Sequence, residues 1–299
     1  MNKNLDANES IFLADELEFV KTKTYDKKFP ALKAKTLLPV SSDAGIADKT
    51  ITYQSYEGIG IAKIISDYAN DLPRASVKAT EYTSNIRSIG SSYGYSIMEI
   101  RAAQATGKPL SQRLANVCRQ SDEVKVDSLA WSGSSADGIG GFFDNANITD
   151  VAATTGTWSG ATSAQIIVDC NLLLNSSKTL TAGTEVPDTW LLPIAQYTII
   201  ASTAVSTTDS RTILEFMKAI HPNITTVDWL TQLTSAGVSS TDMTIAYKND
   251  IDILSLEIPQ PFEQFPVQTQ GLEYVVNCHS RCGGVLVYYP LSCAKMDAI

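Results

Sequence analysis

Residues 50–96 constrain this chain more than any other stretch. In 50–64, TITYQSYEGIGIAKI, Ile51, Tyr53, Ile59 and Ile61 fall on one parity and Thr52, Gln54, Gly58 and Gly60 on the other, which predicts a strand. Turn chemistry follows in SDYANDLPRA (66–75), with Asn70-Asp71 and then Pro73. A second β-like stretch, SVKATEYTSNIRSIGSSYGYS, covers 76–96 and is polar on both faces. A 15-residue strand is ~50 Å long at ~3.3 Å per residue. A compact globule of 299 residues has a radius of gyration near ~19 Å and is itself only ~50 Å across. A hairpin of that length, polar on both faces, is expected to project from the body. A lone two-stranded ribbon is marginal in water, so it needs a partner surface, and another copy of the chain is one such partner.

The beginning of the chain is equally uncompact. ESIFLADELEFV (9–20) predicts a short amphipathic helix with Ile11, Phe12, Leu13, Leu17, Phe19 and Val20 on its apolar face. Pro30 and Pro39 then forbid a continuous helix, so the run to residue 49 is expected to be extended. Residues 21–35 hold six lysines, Lys27 and Lys28 among them, against Asp26. They read as a solvated arm, or as one that docks on an acidic neighbour. The stretch 129–212 leans the other way, with seven acidic residues against Lys178 and Arg211. Net charge is −9, and no long basic run exists to support sequence-specific duplex binding. Charged residues make up 18%, below the ~25% usual in soluble domains. Such a surface suits a protein whose faces are covered by neighbours. The N-terminus lacks the pattern of a signal peptide, and no apolar run of ~18 residues predicts a membrane span. The sequons at Asn147, Asn175 and Asn223 carry no weight in that context. The five cysteines are expected to be reduced thiols.

From residue 96 the pattern turns helical. Ile97, Ile100 and Ala103 form a stripe that ends at Gly107, and Pro109 opens a second helix with Leu110, Leu114, Val117 and Cys118 on one face. GIGGFFDNANI (138–148) reads as a loop and 161–177 as a helix. PDTWLLPIAQYTII (187–200) predicts a turn and a buried strand. Residues 209–222 predict a helix capped by Asp209, with His221 at its C-terminus before Pro222. Short strands are expected in 228–235 and 242–259. No internal repeat is present. The sum is an α+β chain.

Motifs for chemistry fail one by one. GIGIAK (58–63) lies within a strand and GIGGFF (138–143) precedes no clear helix, so neither is a dinucleotide loop. There is no phosphate-binding loop, and GSSAD (133–137) lacks the last glycine of a nucleophile elbow. Asp250 and Asp252 sit two apart, as on one face of a charged edge strand. In YVVNCHSRCGGVLVYYP (274–290), Cys278 and Cys282 with Cys293 leave zinc short of a fourth ligand, and Cys278 and His279 point to opposite faces of a strand. A disulfide there conflicts with a reducing compartment. Two apolar runs broken by Gly283-Gly284 instead predict a hairpin.

Taken in order, several segments resemble the tailed-bacteriophage major capsid proteins of the Hong-Kong-97-type fold. They are FLADELEFVKTKTYDKKFPALKAKTLLPV, YEGIGIAKIISDYANDLPRASV, YGYSIMEIRAAQATGKPL, GIGGFFDN, PDTWLLPIAQYTII and RCGGVLVYYPLSCAKMDAI. The resemblance implies an N-terminal arm over 1–49, an extended β-hairpin loop over 50–92 and a peripheral domain with a long spine helix over 93–135. It further implies an axial domain over 136–245 and a return to the peripheral sheet over 246–299. It implies a shell subunit that forms hexamers and pentamers around double-stranded DNA, touching that DNA weakly and non-specifically. Portal and scaffolding proteins, and a decoration protein, would be its other partners. Assembly would take place in the host cytoplasm, and the product would be a virion head. No enzyme activity, cofactor, metal or membrane contact is implied. With Met1 present, loss of an N-terminal scaffolding segment is not expected. The interface residues it suggests are Tyr53, Tyr56, Lys63, Asp71, Pro73 and Arg74 on the ribbon and Lys27 and Lys28 on the arm. Lysine–asparagine cross-linking, found in some members, is not carried over to Lys63 or Lys78, because nothing marks a partner. The competing readings are the shell of a bacterial encapsulin-type nanocompartment and a cytosolic enzyme or binding protein.

Overall fold

The computed structural model describes residues 31–64, 73–106 and 110–299. The helix expected over 9–20, Lys27, Lys28, Asp71, Gly107 and Pro109 lie outside the described residues.

The entry to the body is not wholly extended. One helical turn, α1 (Ala34–Leu37), precedes the two-residue strand β1 (Val40–Ser41). Tertiary contacts impose the turn: the Ala34 amide donates to Asp127 Oδ1 at 2.9 Å, and Ala34 and Leu37 are buried. Next, β2 (Thr50–Ile59) and β3 (Ser76–Asn85) pair antiparallel from Thr50↔Asn85 to Ile59↔Ser76. Among the described residues no third strand joins them. The expected strand over 76–96 is in fact two. Ile86 is buried, its amide donates to the Lys49 carbonyl at 2.8 Å, and β4 (Arg87–Ser96) leaves for another sheet. The paired ribbon therefore stops at Asn85, short of the residue 92 expected from sequence.

Two helices follow, α2 (Ile97–Thr106) and α3 (Leu110–Ser132). Cys118 is buried but Val117 is exposed. The predicted stripe was one residue too broad, because adjacent helical positions lie ~100° apart. Then come β5 (Thr149–Ala152), α4 (Ser163–Leu180) and β6 (Thr189–Leu192). The strand expected through residue 200 ends at Leu192, and α5 (Ile194–Ser202) takes over after Pro193. A short apolar run has no period that separates buried strand from buried helix. In α6 (Ile213–Ile220) the cap is Thr212, not Asp209. Glu215 N donates to Thr212 Oγ1, and the Glu215 carboxylate accepts from Thr212 N. Asp209 is paired instead with Arg211.

The remaining strands are β7 (Thr226–Trp229), β8 (Met243–Tyr247), β9 (Leu254–Glu257), β10 (Gln260–Gln264), β11 (Gln268–Gln270), β12 (Glu273–Cys282), β13 (Gly284–Val287) and β14 (Ala294–Asp297). Asp250 and Asp252 occupy the turn between β8 and β9, where Asp252 N donates to Asp250 Oδ1, so they do not guard a strand edge. The tail is not a hairpin either. β12 pairs along its length with β4 on one side and with β10 and β11 on the other, whereas β13 pairs with β9. Gly283 and Gly284 form a corner that passes the chain between sheets. Gly284 has φ +75°, and a Cβ there would collide with the Gly140 carbonyl, so the GIGG loop exists to pack against this corner.

Three sheets build the body: β1-β9-β13, the four-stranded sheet around β12, and the five-stranded β5-β14-β8-β6-β7. β8 and β14 both lie inside the five-stranded sheet, so residues 246–299 do not return to one sheet. Strand alternation sends Leu191, Ile245 and Tyr247 to a core shared with Trp131, Phe142 and Leu254. It sends Trp190, Leu192, Ala246 and Met296 to a second core under α4, α5 and α6. The architecture is α+β, with helices held to single faces of antiparallel-rich sheets.

Candidate assembly surfaces

The ribbon is fastened at its root and bare beyond it. The Tyr53 hydroxyl donates to the Val287 carbonyl at 3.0 Å. Its ring stacks on Tyr82 at 5.2 Å and meets Tyr288 edge-on at 4.9 Å. Burial pushes the Tyr53 phenol above its ordinary range. Tyr53 is thus committed to its own chain. Cross-strand pairs flank it, Thr52 with Thr83 at 3.0 Å and Gln54 Nε2 to Glu81 Oε1 at 2.6 Å, and along β2 itself Tyr56 Oη donates to Gln54 Oε1 at 2.7 Å. Tyr56, Ile59, Ile61, Ile64 and Val77 are exposed, Ile61 by 74% and Val77 by 68%. Lys63, Pro73 and Arg74 are exposed at the same far end. Of the eight residues expected at the interface, four (Tyr56, Lys63, Pro73, Arg74) lie out on the ribbon, one (Tyr53) is at its root, and Asp71, Lys27 and Lys28 lie outside the described residues.

The start of the described chain is pinned by Lys33, from the basic segment expected to be solvated or to dock on an acidic neighbour, and by Asp127 and Tyr247, which no sequence pattern marks. Lys33 Nζ meets both Asp228 oxygens at 2.8 Å, donates to the Trp229 carbonyl at 2.7 Å, and stands 3.8 Å from the Trp229 ring centroid. One lysine of the basic segment therefore docks on an acid of its own chain. Asp127 accepts from the Ala34 amide and from Gln232 Nε2 at 2.6 Å, and burial pushes its carboxyl up against the pull of those donors. Tyr247 donates to the Leu37 carbonyl at 2.7 Å. Only the lysine run that contains Lys33 is visible in sequence; the partners stand 195, 93, 105 and 210 positions away.

The titratable groups of the interior are committed to structure. Cys278 faces α3, beside Cys118, whose sulfur lies 3.0 Å from Ser91 Oγ. Burial first, and the Cys118 thiol second, push Cys278 up to about 12. All five cysteines are free and buried. His279 points to the other side of β12, against Phe265. His221 is buried at the C-terminus of α6. Its Nδ1 accepts from Lys178 Nζ at 3.1 Å, which leaves Nε2–H to donate to Asn171 Oδ1 at 2.8 Å. Burial and the Lys178 charge hold it below the ordinary histidine value. Asp169, fully buried, accepts from the amide and hydroxyl of Thr154 and from Trp158 Nε1. Among the described residues no three His, Cys, Asp or Glu side chains gather as a metal cage, and no helix is long and apolar enough to cross a membrane.

A two-stranded ribbon with exposed strands, two packed cores and an entry segment held by Lys33 and Asp127 are the geometry of a building block. A model of the major capsid protein family matches residues 60–299. Among solved structures, the capsid of Myoviridae phage XM1 is similar with a TM-score of 0.85 at 18% identity, covering 97% of this chain and 100% of that one. A structure from Mycobacterium phage Ogopogo gives 0.65 at 11% identity, covering 96% and 99%. The virus-like particle from Pyrococcus furiosus gives 0.55 at 11% identity, covering 87% and 90%. No curated protein sequence matches. The fold is of the Hong-Kong-97 type, and the family match favours a phage head over a nanocompartment. The chain belongs to the major capsid protein family, whose role is structural rather than enzymatic and whose place is the shell of the virion head.

Proposed function

We propose that this chain assembles as hexamers and pentamers into an icosahedral shell around double-stranded phage DNA. The observation that carries this reading is the ribbon: two strands that, among the described residues, pair only with each other, ending in exposed Ile59, Ile61 and Val77. Burying such side chains contributes ~1.5–3 kcal/mol each, which no described residue of the chain supplies and which is gained on a neighbour. The axial unit is then the five-stranded sheet with α4, α5 and α6, and the peripheral unit is α3 with the sheet around β12. The ribbon reaches adjoining copies, while the two units move as bodies between ring environments. A net charge of −9 keeps the inner surface from gripping packaged DNA, so contact with it is weak and non-specific. A portal, a separate scaffold and a decoration protein complete the set of partners, and assembly precedes release from the host cytoplasm.

The test is to express the chain with and without the cognate scaffold and image it by negative-stain microscopy. Closed shells are expected from the intact chain and folded, unassembled protein from a variant lacking residues 54–80. A folded monomer from the intact chain under all conditions, or shells from the deletion variant, would sink the reading.

A further inference from the structure

Between the root of the ribbon and the body lies a half-open cleft of about 360 Å³, within the size range of small-molecule sites. Five tyrosines line it: Tyr53, Tyr56 and Tyr82 from the ribbon, and Tyr288 and Tyr289 from the segment after β13. Tyr56, Tyr82 and Tyr289 are exposed. Glu185, in the loop between α4 and β6, is the one charged residue in the wall among the described residues. The backbone of the wall is largely committed. The Tyr288 and Tyr289 amides donate to the Ile253 carbonyl at 2.8 and 3.3 Å, the Tyr289 carbonyl accepts from Ser292 N at 3.1 Å, and Glu185 N donates to Thr181 Oγ1 at 3.1 Å. With the Val287 carbonyl held by Tyr53, little is left for the main chain of a peptide. The Glu185 carboxylate is different. Lys248, which is not part of the wall, meets Oε2 at 2.9 Å, and Oε1 has no donor among the described residues. Asp188 and Asp250 also act on Lys248, so three acids share one ammonium and this end of the cleft keeps a net negative charge.

We propose that this cleft binds a small organic cation, an alkylammonium whose carbon chain lies against the tyrosine rings and whose head meets Glu185 Oε1. The face of a phenol ring carries negative charge and attracts an ammonium group, and its breadth covers methylene groups well. An anion would meet Glu185 with no cation in the wall to hold it. A divalent metal ion would find a single carboxylate where such ions need several oxygen ligands. A neutral alkyl group would leave Oε1 without a partner. Tyr53, Tyr56 and Tyr82 belong to the ribbon, whereas Glu185, Tyr288 and Tyr289 belong to the body, so a bound cation touches both at once. It therefore holds the ribbon at one angle to the body, and any event that fixes that angle tightens the cation in return. The site is complete within one chain and does not depend on assembly.

The test is a titration of the unassembled full chain with butylammonium chloride at constant ionic strength, followed by saturation-transfer NMR. Saturable binding is expected, and 1-butanol, of the same shape without the charge, should not saturate. Glu185→Gln and Tyr289→Ala should each weaken butylammonium binding by ~2–5-fold. The Tyr289 ring is exposed and its hydroxyl has no partner among the described residues, so Tyr289→Ala decides the matter if Glu185→Gln fails to fold. Hydrogen exchange of the amides of residues 53–56 should slow as butylammonium saturates the chain. Absence of saturable binding, equal binding of 1-butanol, or an affinity that neither substitution changes would overturn the proposal.

Discussion

Gly284 and Gly156 make a matched pair of perturbations. Both have left-handed backbone, φ +75° and +76°, but their surroundings differ. A Cβ on Gly156 meets nothing within 4 Å, while one on Gly284 runs into the Gly140 carbonyl and the Ile139 side chain. Left-handed backbone costs an alanine ~1–2 kcal/mol, and the stiffer unfolded chain returns ~0.4–1 kcal/mol. Gly156→Ala should therefore cost at most about 1–1.5 kcal/mol. Gly284→Ala adds an overpacking term of ~1–3 kcal/mol, because the obstacle is backbone that is itself held: Val285 N donates to the Gly140 carbonyl at 3.2 Å. The expected total is ~2–4 kcal/mol. Urea unfolding of unassembled protein, followed by the fluorescence of its four tryptophans, measures both variants under one condition. If Gly284→Ala is no more destabilised than Gly156→Ala, the close approach of the two loops is not what requires glycine at this corner.

Thr212→Ala should lower stability by ~1 kcal/mol through loss of the α6 cap, whereas Asp209→Ala, in an exposed pair, should change the melting temperature little. His221 has a folded value below its ordinary 6.5, so below that pH the unfolded chain binds the extra proton. Stability should fall as pH drops from 7 through 6 and 5, and His221→Gln should flatten that slope in denaturant titrations. Cys278, pushed up to about 12 and buried, should ignore a thiol reagent at pH 8 in the native protein and react once urea unfolds it. Glu257→Leu should cost ~1–3 kcal/mol by stranding buried hydroxyls and should speed hydrogen exchange at the root of the ribbon.

Period-two alternation made β2 legible, and the mismatch between ribbon length and globule size made its projection legible. The place where the ribbon ends was not, because Ile86 resembles any strand residue until its burial against Gly283 and the Lys49 carbonyl is known. Likewise Gly283-Gly284 announces a change of direction but not its destination. A two-glycine break fits a hairpin and a corner between sheets equally well, and only the ten-residue pairing of β12 with β4 separates them. α5 was hidden for a different reason: its exposed positions Ile194, Ala195 and Thr198 carry no charge while Gln196 is buried, so polarity does not follow a 3.6-residue period, and Pro193 can end a strand as readily as it starts a helix.

The root of the ribbon explains why arm, sheet and ribbon behave as one attachment. Glu257, buried on β9, accepts from Ser41 of β1 at 3.1 Å and from Ser255 at 2.7 Å. Ser255 shares a second hydrogen bond with the Tyr288 hydroxyl at 2.8 Å, and the Tyr288 ring abuts Tyr53 of β2. No cation balances the carboxylate among these partners, so its burial is sustained by two hydroxyl donors, one on β1 and one tied through Tyr288 to β2. Shifting β1 removes a donor from Glu257, and shifting Tyr53 frees the ring that holds Tyr288 in place. Because an unsatisfied buried carboxylate costs far more than one hydrogen bond gains, the network resists any motion of one segment alone. The ribbon is therefore stiff where it leaves the body, and the adjustment a shell demands of it is left to the strands beyond Tyr56, where Ile59 and Val77 are exposed.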